Sequence, residues 1–125
     1  MSEQFTKFIQ EGQGWRLGWD PAAIPYCGLL AGYEWAIELT NDEFQTFCRL
    51  ALELKETMAA IAAELMEEER IVCEAEAASL WLEAEGFPQA YNLRFILNSG
   101  RRCEGMWETE STQQLIQAIG HLTLF

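Results

Sequence analysis

Cations are scarce in this chain. Eight lysines and arginines stand against twenty aspartates and glutamates, a formal net charge of −12 over 125 residues. The deficit is spread evenly: residues 1–40 carry two basic against five acidic groups, residues 41–70 three against eight, and residues 71–125 three against seven. No segment is basic enough to serve as a nucleic-acid arm, and such acidity opposes nonspecific attraction to polyanions and anionic membranes. Histidine occurs once, as His121 near the end of the last helical segment, so no histidine–metal pair exists. The four cysteines, Cys27, Cys48, Cys73 and Cys103, form no C-x-x-C pair and are expected as reduced thiols in the core. There is no phosphate-binding glycine loop and no nucleophile elbow. Carboxylate pairs such as Glu74 and Glu83 exist, but glutamate is common enough here that a solvated sheet surface explains them. Catalysis, cofactors and metals therefore have little support. No apolar run reaches bilayer length, and the start MSEQFTKFIQ has no basic leader followed by an apolar run. The expectation is a soluble cytosolic protein with no membrane partner.

What is present begins with half-apolar composition, enough for one packed domain over residues 1–125 without disulfide or metal support. The chain is organised around residues 40–70, a stretch without Gly or Pro and rich in Ala, Leu, Glu and Met, which predicts a long helix. Thr40 with Glu43 forms the capping-box pairing at its start. Phe44, Phe47, Ala51, Leu54, Met58, Ile61 and Leu65 give an apolar seam with a seven-residue repeat, broadened by Cys48, Leu50, Ala62 and Met66. At about 1.5 Å per residue this helix would run roughly 45 Å, longer than a small domain about 30 Å wide. That excess suggests a homodimer in which part of the helix packs on a second copy. Glu67, Glu68 and Glu69 sit where the helix dipole disfavours negative charge, so this end is expected to fray.

Ahead of the helix, Phe5, Phe8 and Ile9 suggest a helical turn docking on the core. Trp15, Leu17 and Trp19 alternate with Arg16 and Gly18 as in a half-buried strand ended by Asp20-Pro21. Arg16 can then lie beside Asp20, Glu34 or Glu38. A second strand is expected over residues 26–30, and a third where Trp35, Ile37 and Leu39 alternate with Glu34, Ala36 and Glu38. After the helix, a hairpin turning near Ala77-Ala78 would pair Ala75 with Leu80, Cys73 with Leu82 and Ile71 with Ala84. Its opposite face holds Glu74, Glu76, Trp81, Glu83 and Glu85, and Gly86-Phe87-Pro88 separates it from the next strand. Tyr91, Leu93, Phe95 and Leu97 alternate with polar residues, and a loop at Ser99-Gly100-Arg101, with Gly100 near the left-handed position, leads back. That register sets Cys103 opposite Leu97, Gly105 opposite Phe95, where the missing side chain makes room, and Trp107 opposite Leu93. Thr109 is the expected cap of a last helix with an apolar stripe of Leu115, Ile119 and Leu122, with Ile116 and Phe125 nearby. Strands, long central helix, meander and helix add up to an α+β fold with antiparallel sheets.

Three residues stand out as partner-binding candidates. Trp81 is the one tryptophan of five predicted on an acidic rather than an apolar face, where a helix or a partner would cover it. Arg94 and Arg102 are predicted on one face of adjacent strands, where two guanidinium groups can receive a carboxylate, a phosphate or an acidic patch, or pair with Glu83, Glu85 or Glu104.

The runs from Gly14 to Pro21 (GWRLGWDP), Trp35 to Thr40 (WAIELT) and Arg101 to Gly105 (RRCEG) resemble a family of small cyanobacterial and plastid-lineage proteins of unassigned function. The resemblance implies a fold similar to the Whirly-type single-stranded-DNA-binding regulators, with sheets followed by helices that can be exchanged between dimer subunits. Whirly proteins bind through a lysine-rich motif that has no match here, so the resemblance carries no nucleic-acid contact onto any residue. The function expected is a noncatalytic, dimeric macromolecule-binding or scaffold module, with an unidentified protein as its partner. The alternatives are a single-stranded nucleic-acid-binding regulator, which the net charge disfavours, and a small-molecule binder or enzyme built round a deep pocket lined by polar groups.

Overall fold

The computed structural model describes residues 6–64 and 69–122. Two antiparallel four-stranded meanders are each followed by a helix. Sheet A holds β1 (Phe8–Gly12), β2 (Trp15–Trp19), β3 (Gly28–Ala31) and β4 (Ala36–Leu39), and leads into α1 (Asn41–Ala62). Sheet B holds β5 (Ile71–Ala77), β6 (Leu80–Phe87), β7 (Ala90–Leu97) and β8 (Cys103–Trp107), followed by α2 (Thr109–Gly120). The expected α+β class and element order are those found, with one strand more.

That strand is β1. Phe8 and Ile9, expected on a helical turn, pair across from Trp19 and Gly18. Only Phe8 of its five residues is partly buried, so an edge strand here shows no alternation for a sequence reading to catch. Phe5 lies outside the described residues. Arg16 faces Glu11 of β1 rather than the acids expected beside it.

Helix α1 begins as predicted: the Thr40 hydroxyl accepts from the Glu43 amide at 3.2 Å, and the Glu43 carboxylate accepts from the Thr40 amide at 3.0 Å. It ends eight residues before Arg70. Its 22 residues span about 33 Å, close to the width of one domain. The physical reason is at hand in the sequence, since no basic residue sits in the last turn to offset the carbonyl end of the dipole, and acidic Glu64 follows it. Phe44, Phe47, Cys48, Leu50, Ala51, Leu54 and Met58 are all buried within their own chain, and Ile61 packs against the same core. Leu65, Met66, Glu67 and Glu68 lie outside the described residues. The excess length that argued for a second copy along this seam is therefore absent.

The helices share one core and touch each other. Helix α1 packs chiefly on β5 and β6, α2 on β7, and both also touch sheet A. At the centre Phe47 of α1, Trp35 before β4, Phe95 of β7 and Trp107 of β8 pack as tilted and edge-on rings with centroids 5.1 to 5.9 Å apart. The Trp107 indole donates to the Ala31 carbonyl at 3.0 Å, a buried bond that ties β8 to β3 of the other sheet. Gly105 makes the close approach feasible: a Cβ there would stand 2.7 Å from the Trp35 ring and 2.8 Å from Phe95. Thr109 is the first residue of α2 rather than its cap, which is Glu108. The Thr109 hydroxyl donates instead to Asn92 (3.1 Å), Ser111 to the Gln13 carbonyl (2.8 Å), and the Trp15 indole to Gln114 (2.8 Å). Leu115, Ile116 and Ile119 are buried as the stripe requires, and Phe125 lies outside the described residues.

Sheet B corrects three local expectations. The first hairpin turns one residue later, through Ala78-Ser79, so Ala77 faces Leu80, Ala75 faces Leu82, Cys73 faces Ala84 and Ile71 faces Gly86. Moving the turn by one residue moves each pairing by two, so every side chain stays on its expected face. No Gly or Asn marks the turn; Ala78 itself takes the left-handed conformation at φ 54, and the Asn98 amide donates to the Ser79 carbonyl at 2.7 Å. Strand β6 also runs through Gly86 to Phe87 instead of stopping before them. In the third hairpin the register matches, but the left-handed residue is Arg102 at φ 39, not Gly100.

Candidate docking face

Both helices cover the inner face of sheet B, where Cys73, Ala75, Leu82, Ala84, Leu93 and Phe95 are buried. By the alternation of strand side chains, the outer face carries Val72, Glu74 and Glu76 of β5, Trp81, Glu83 and Glu85 of β6, Asn92, Arg94 and Ile96 of β7, and Glu104 and Met106 of β8. No other element of the described chain lies over it: Val72 is 56 % and Met106 42 % exposed, unusual for large apolar side chains.

Trp81 and Arg94 occupy its centre. They are diagonal neighbours across β6 and β7, within reach of long side chains. The Arg94 guanidinium lies over the Trp81 ring, 5.0 Å from its centroid, and reaches Glu83 at 3.6 Å and Glu104 at 3.5 Å. The Trp81 indole donates to Glu74 at 3.3 Å. Arg70, at the margin, pairs with Glu85 and lies 5.3 Å from the Phe87 ring centroid. One combination is unfavourable in itself: Glu74 and Glu83 stand directly opposite each other, and facing like charges destabilise a sheet. Glu76, beside Trp81, has no ion pair among the described residues.

Arg94 is on the sheet, but Arg102 sits exposed in the turn ahead of β8, with no side-chain partner among the described residues. Its neighbour Arg101, not singled out by sequence, is the engaged one. It donates to the Glu38 carbonyl at 2.7 Å, pairs with Glu43 of the α1 cap, and lies 4.8 Å from the Tyr26 ring centroid. The RRCEG run gave no sign of which arginine would turn inward; only the approach of sheet A decides it.

Other chemistry is sparse among the described residues. Cys27, Cys48, Cys73 and Cys103 are free thiols, and burial pushes each above its ordinary pKa, away from thiolate character. No described group of three His, Cys, Asp or Glu residues can hold a metal, and no described helix is long and apolar enough to cross a membrane. A cleft of about 470 Å³ between α1, α2 and the β6–β7 turn is lined by Lys55, Gln89, Tyr91, Gln113 and Gln117 among others, without a nucleophile–base pair.

No curated protein matches the chain. Among solved structures it is similar to a protein of unknown function from Prochlorococcus sp. NATL2A, described as of the DUF155 family. That match has a TM-score of 0.85 and 28 % identity, covering 90 % of this chain and 96 % of the other. The likeness extends to nearly the whole of both chains, and so includes both sheets and both helices. Residues 10–122 match the model of a domain of unknown function, DUF1818, and the chain belongs to that family.

Proposed function

We propose that this chain is a noncatalytic protein-binding module whose docking surface is the outer face of sheet B, with Trp81 and Arg94 at its centre and Arg102 in the turn at its end. The observation that carries this reading is an uncovered tryptophan–arginine stack on a sheet whose other face is closed by two helices. Tryptophan and arginine are the residue types that most often dominate binding energy at protein interfaces. Single-stranded nucleic-acid binding of the Whirly class is the alternative. It meets an obstacle on this face, where five glutamates surround one arginine that two of them already engage. A homodimer would have to form through a surface other than the buried seam of α1, and sedimentation velocity reads its mass directly.

The experiment places a photo-crosslinking amino acid at Trp81 or, as a control, at exposed Glu56 of α1, in the cells that make the protein. A discrete protein adduct from position 81 alone, lost when Arg94→Glu is added and re-formed with the purified partner, supports the proposal. Equal adducts from both positions, or none from position 81, count against it. Anisotropy of a labelled single-stranded oligonucleotide tests the alternative, which predicts binding that weakens with salt and is lost in Arg94→Glu.

A further inference from the structure

Resting on the reading of sheet B as the docking face, we infer that its occupant is a lysine- or arginine-rich segment of another protein, laid across β5 and β6 with its cations on Glu74, Glu76 and Glu83 and an aliphatic stem against Trp81. Three observations on the face converge on that chemistry.

The first is charge. The outer-face positions of β5 to β8 hold five carboxylates, Glu74, Glu76, Glu83, Glu85 and Glu104, and one guanidinium, Arg94. Nucleic acid and anionic lipid carry the same sign as this surface. A second copy docked face to face would bring its own five glutamates against these five. A cationic protein segment is the macromolecular occupant whose charge complements the face.

The second is unrelieved repulsion. Arg94 serves Glu83 and Glu104, and Arg70 serves Glu85. Glu74 and Glu83 nevertheless oppose each other across the strands, and Glu76, two residues from Glu74 on the same strand face, has no cation among the described residues. The deficit is therefore local to the β5–β6 side. An incoming ammonium or guanidinium between these groups removes a like-charge contact as well as adding an attractive one.

The third is the apolar bed. Ile96, half-buried, stands across from Trp81, and the exposed Met106 and Val72 stand across from Arg94 and Glu85, so apolar groups are interspersed with the carboxylates. Lysine and arginine bury their stems on such surfaces while their heads reach the charges. Arg94 shows from within the chain that this face holds a cation between the indole and two glutamates.

The test uses the full chain and an octalysine peptide as the probe, with octaglutamate as the charge control. Two triple variants remove the same charge from different places: E74Q/E76Q/E83Q on the sheet, and E53Q/E56Q/E64Q on the exposed side of α1 and just beyond it. Titrations at low salt should show octalysine binding that weakens as salt rises, no binding of octaglutamate, and about a tenfold loss in the sheet triple, as three surface-strength pairs imply. The helix triple should bind within about twofold of the parent chain. Equal losses in the two triples would reduce the effect to net charge and overturn the inference, as would the absence of octalysine binding. Gln at position 74 or 83 relieves the facing repulsion and gives up only the part-exposed Arg94–Glu83 pair, a contact of surface strength, so the sheet triple should melt within about 4 °C of the parent and a loss of binding is then not a loss of fold. The outcome separates from that of the docking reading. A specific adduct at position 81 together with an unaffected sheet triple keeps the face and rejects its cationic preference.

Discussion

Trp107→Phe removes one hydrogen bond and part of one ring from the place where the two sheets meet. Trp107 is 1 % exposed, and its indole donates to the Ala31 carbonyl at 3.0 Å. Phenylalanine sets its ring where the pyrrole half of the indole lies, gives up the outer benzo part of a ring system that packs with Trp35, Phe47 and Phe95, and leaves the Ala31 carbonyl without that donor. An unpaired buried carbonyl costs about 1–3 kcal/mol. The vacated volume of the outer benzo ring adds about 1 kcal/mol, a fraction of the ~3–5 kcal/mol of a full Trp→Ala truncation. The sum is about 2–4 kcal/mol. With a urea m-value of about 1.5 kcal/mol/M for a chain of this size, the unfolding midpoint should fall by roughly 1.3–2.7 M. Far-UV circular dichroism is the assay, since the substitution itself alters tryptophan fluorescence. A midpoint within about 0.3 M of the parent, with an unchanged m-value, would show that the indole bond does not hold β8 to β3 and would refute the account of the inter-sheet contact.

The two arginines of the β7–β8 turn should separate cleanly. Arg101→Ala loses the Glu38 carbonyl bond and the Glu43 pair, and at its partial exposure should cost about 1 kcal/mol, whereas Arg102→Ala should change the melting temperature by less than about 1 °C. Stability should also fall at high pH. Burial raises the thiol pKa of Cys48 in the folded state, so the unfolded chain releases this proton first once pH passes about 8.5 while the folded chain keeps it. The contribution of Cys48 is fully present below that pH and declines above it by about 1.4 kcal/mol per pH unit. Urea titrations from pH 8 to 10 should show a slope shallower by about that amount in Cys48→Ala; identical slopes would contradict the assignment.

What the sequence revealed follows physical rules that act over short distances. Alternation placed Trp15, Leu17 and Trp19 on the core side, and likewise Leu93, Phe95 and Leu97, because a half-buried strand allows no other pattern. The Thr40–Glu43 cap needed only four residues to be recognised. Trp81 was legible as an outlier for the same reason, since alternation put it among glutamates. What stayed hidden depends on contacts distant in sequence. Arg101 turns inward only because β4 and the start of α1 arrive beside its turn, and no feature of RRCEG distinguishes it from Arg102. β1 has too little burial to show a period. The turn at Ala78-Ser79 lacks turn-forming residues and is tied down from β7, so its position could not be read locally. The stop of α1 was the exception: its acidic end was visible, yet the apolar repeat read on through it.

The way α1 is housed has a consequence for how the polypeptide can be divided. This rod is made by the first half of the chain, yet it roofs β5 and β6, which the second half makes. Severed after Glu64, the leading fragment would carry Phe47, Leu50 and Leu54 with nothing from the trailing fragment to sit on, and the trailing one would bare Ala75, Leu82 and Ala84 to water. Neither piece owns its interior. The molecule reads as two similar paragraphs whose sense is complete only when both are on the page, so it should melt as a single unit despite its doubled layout.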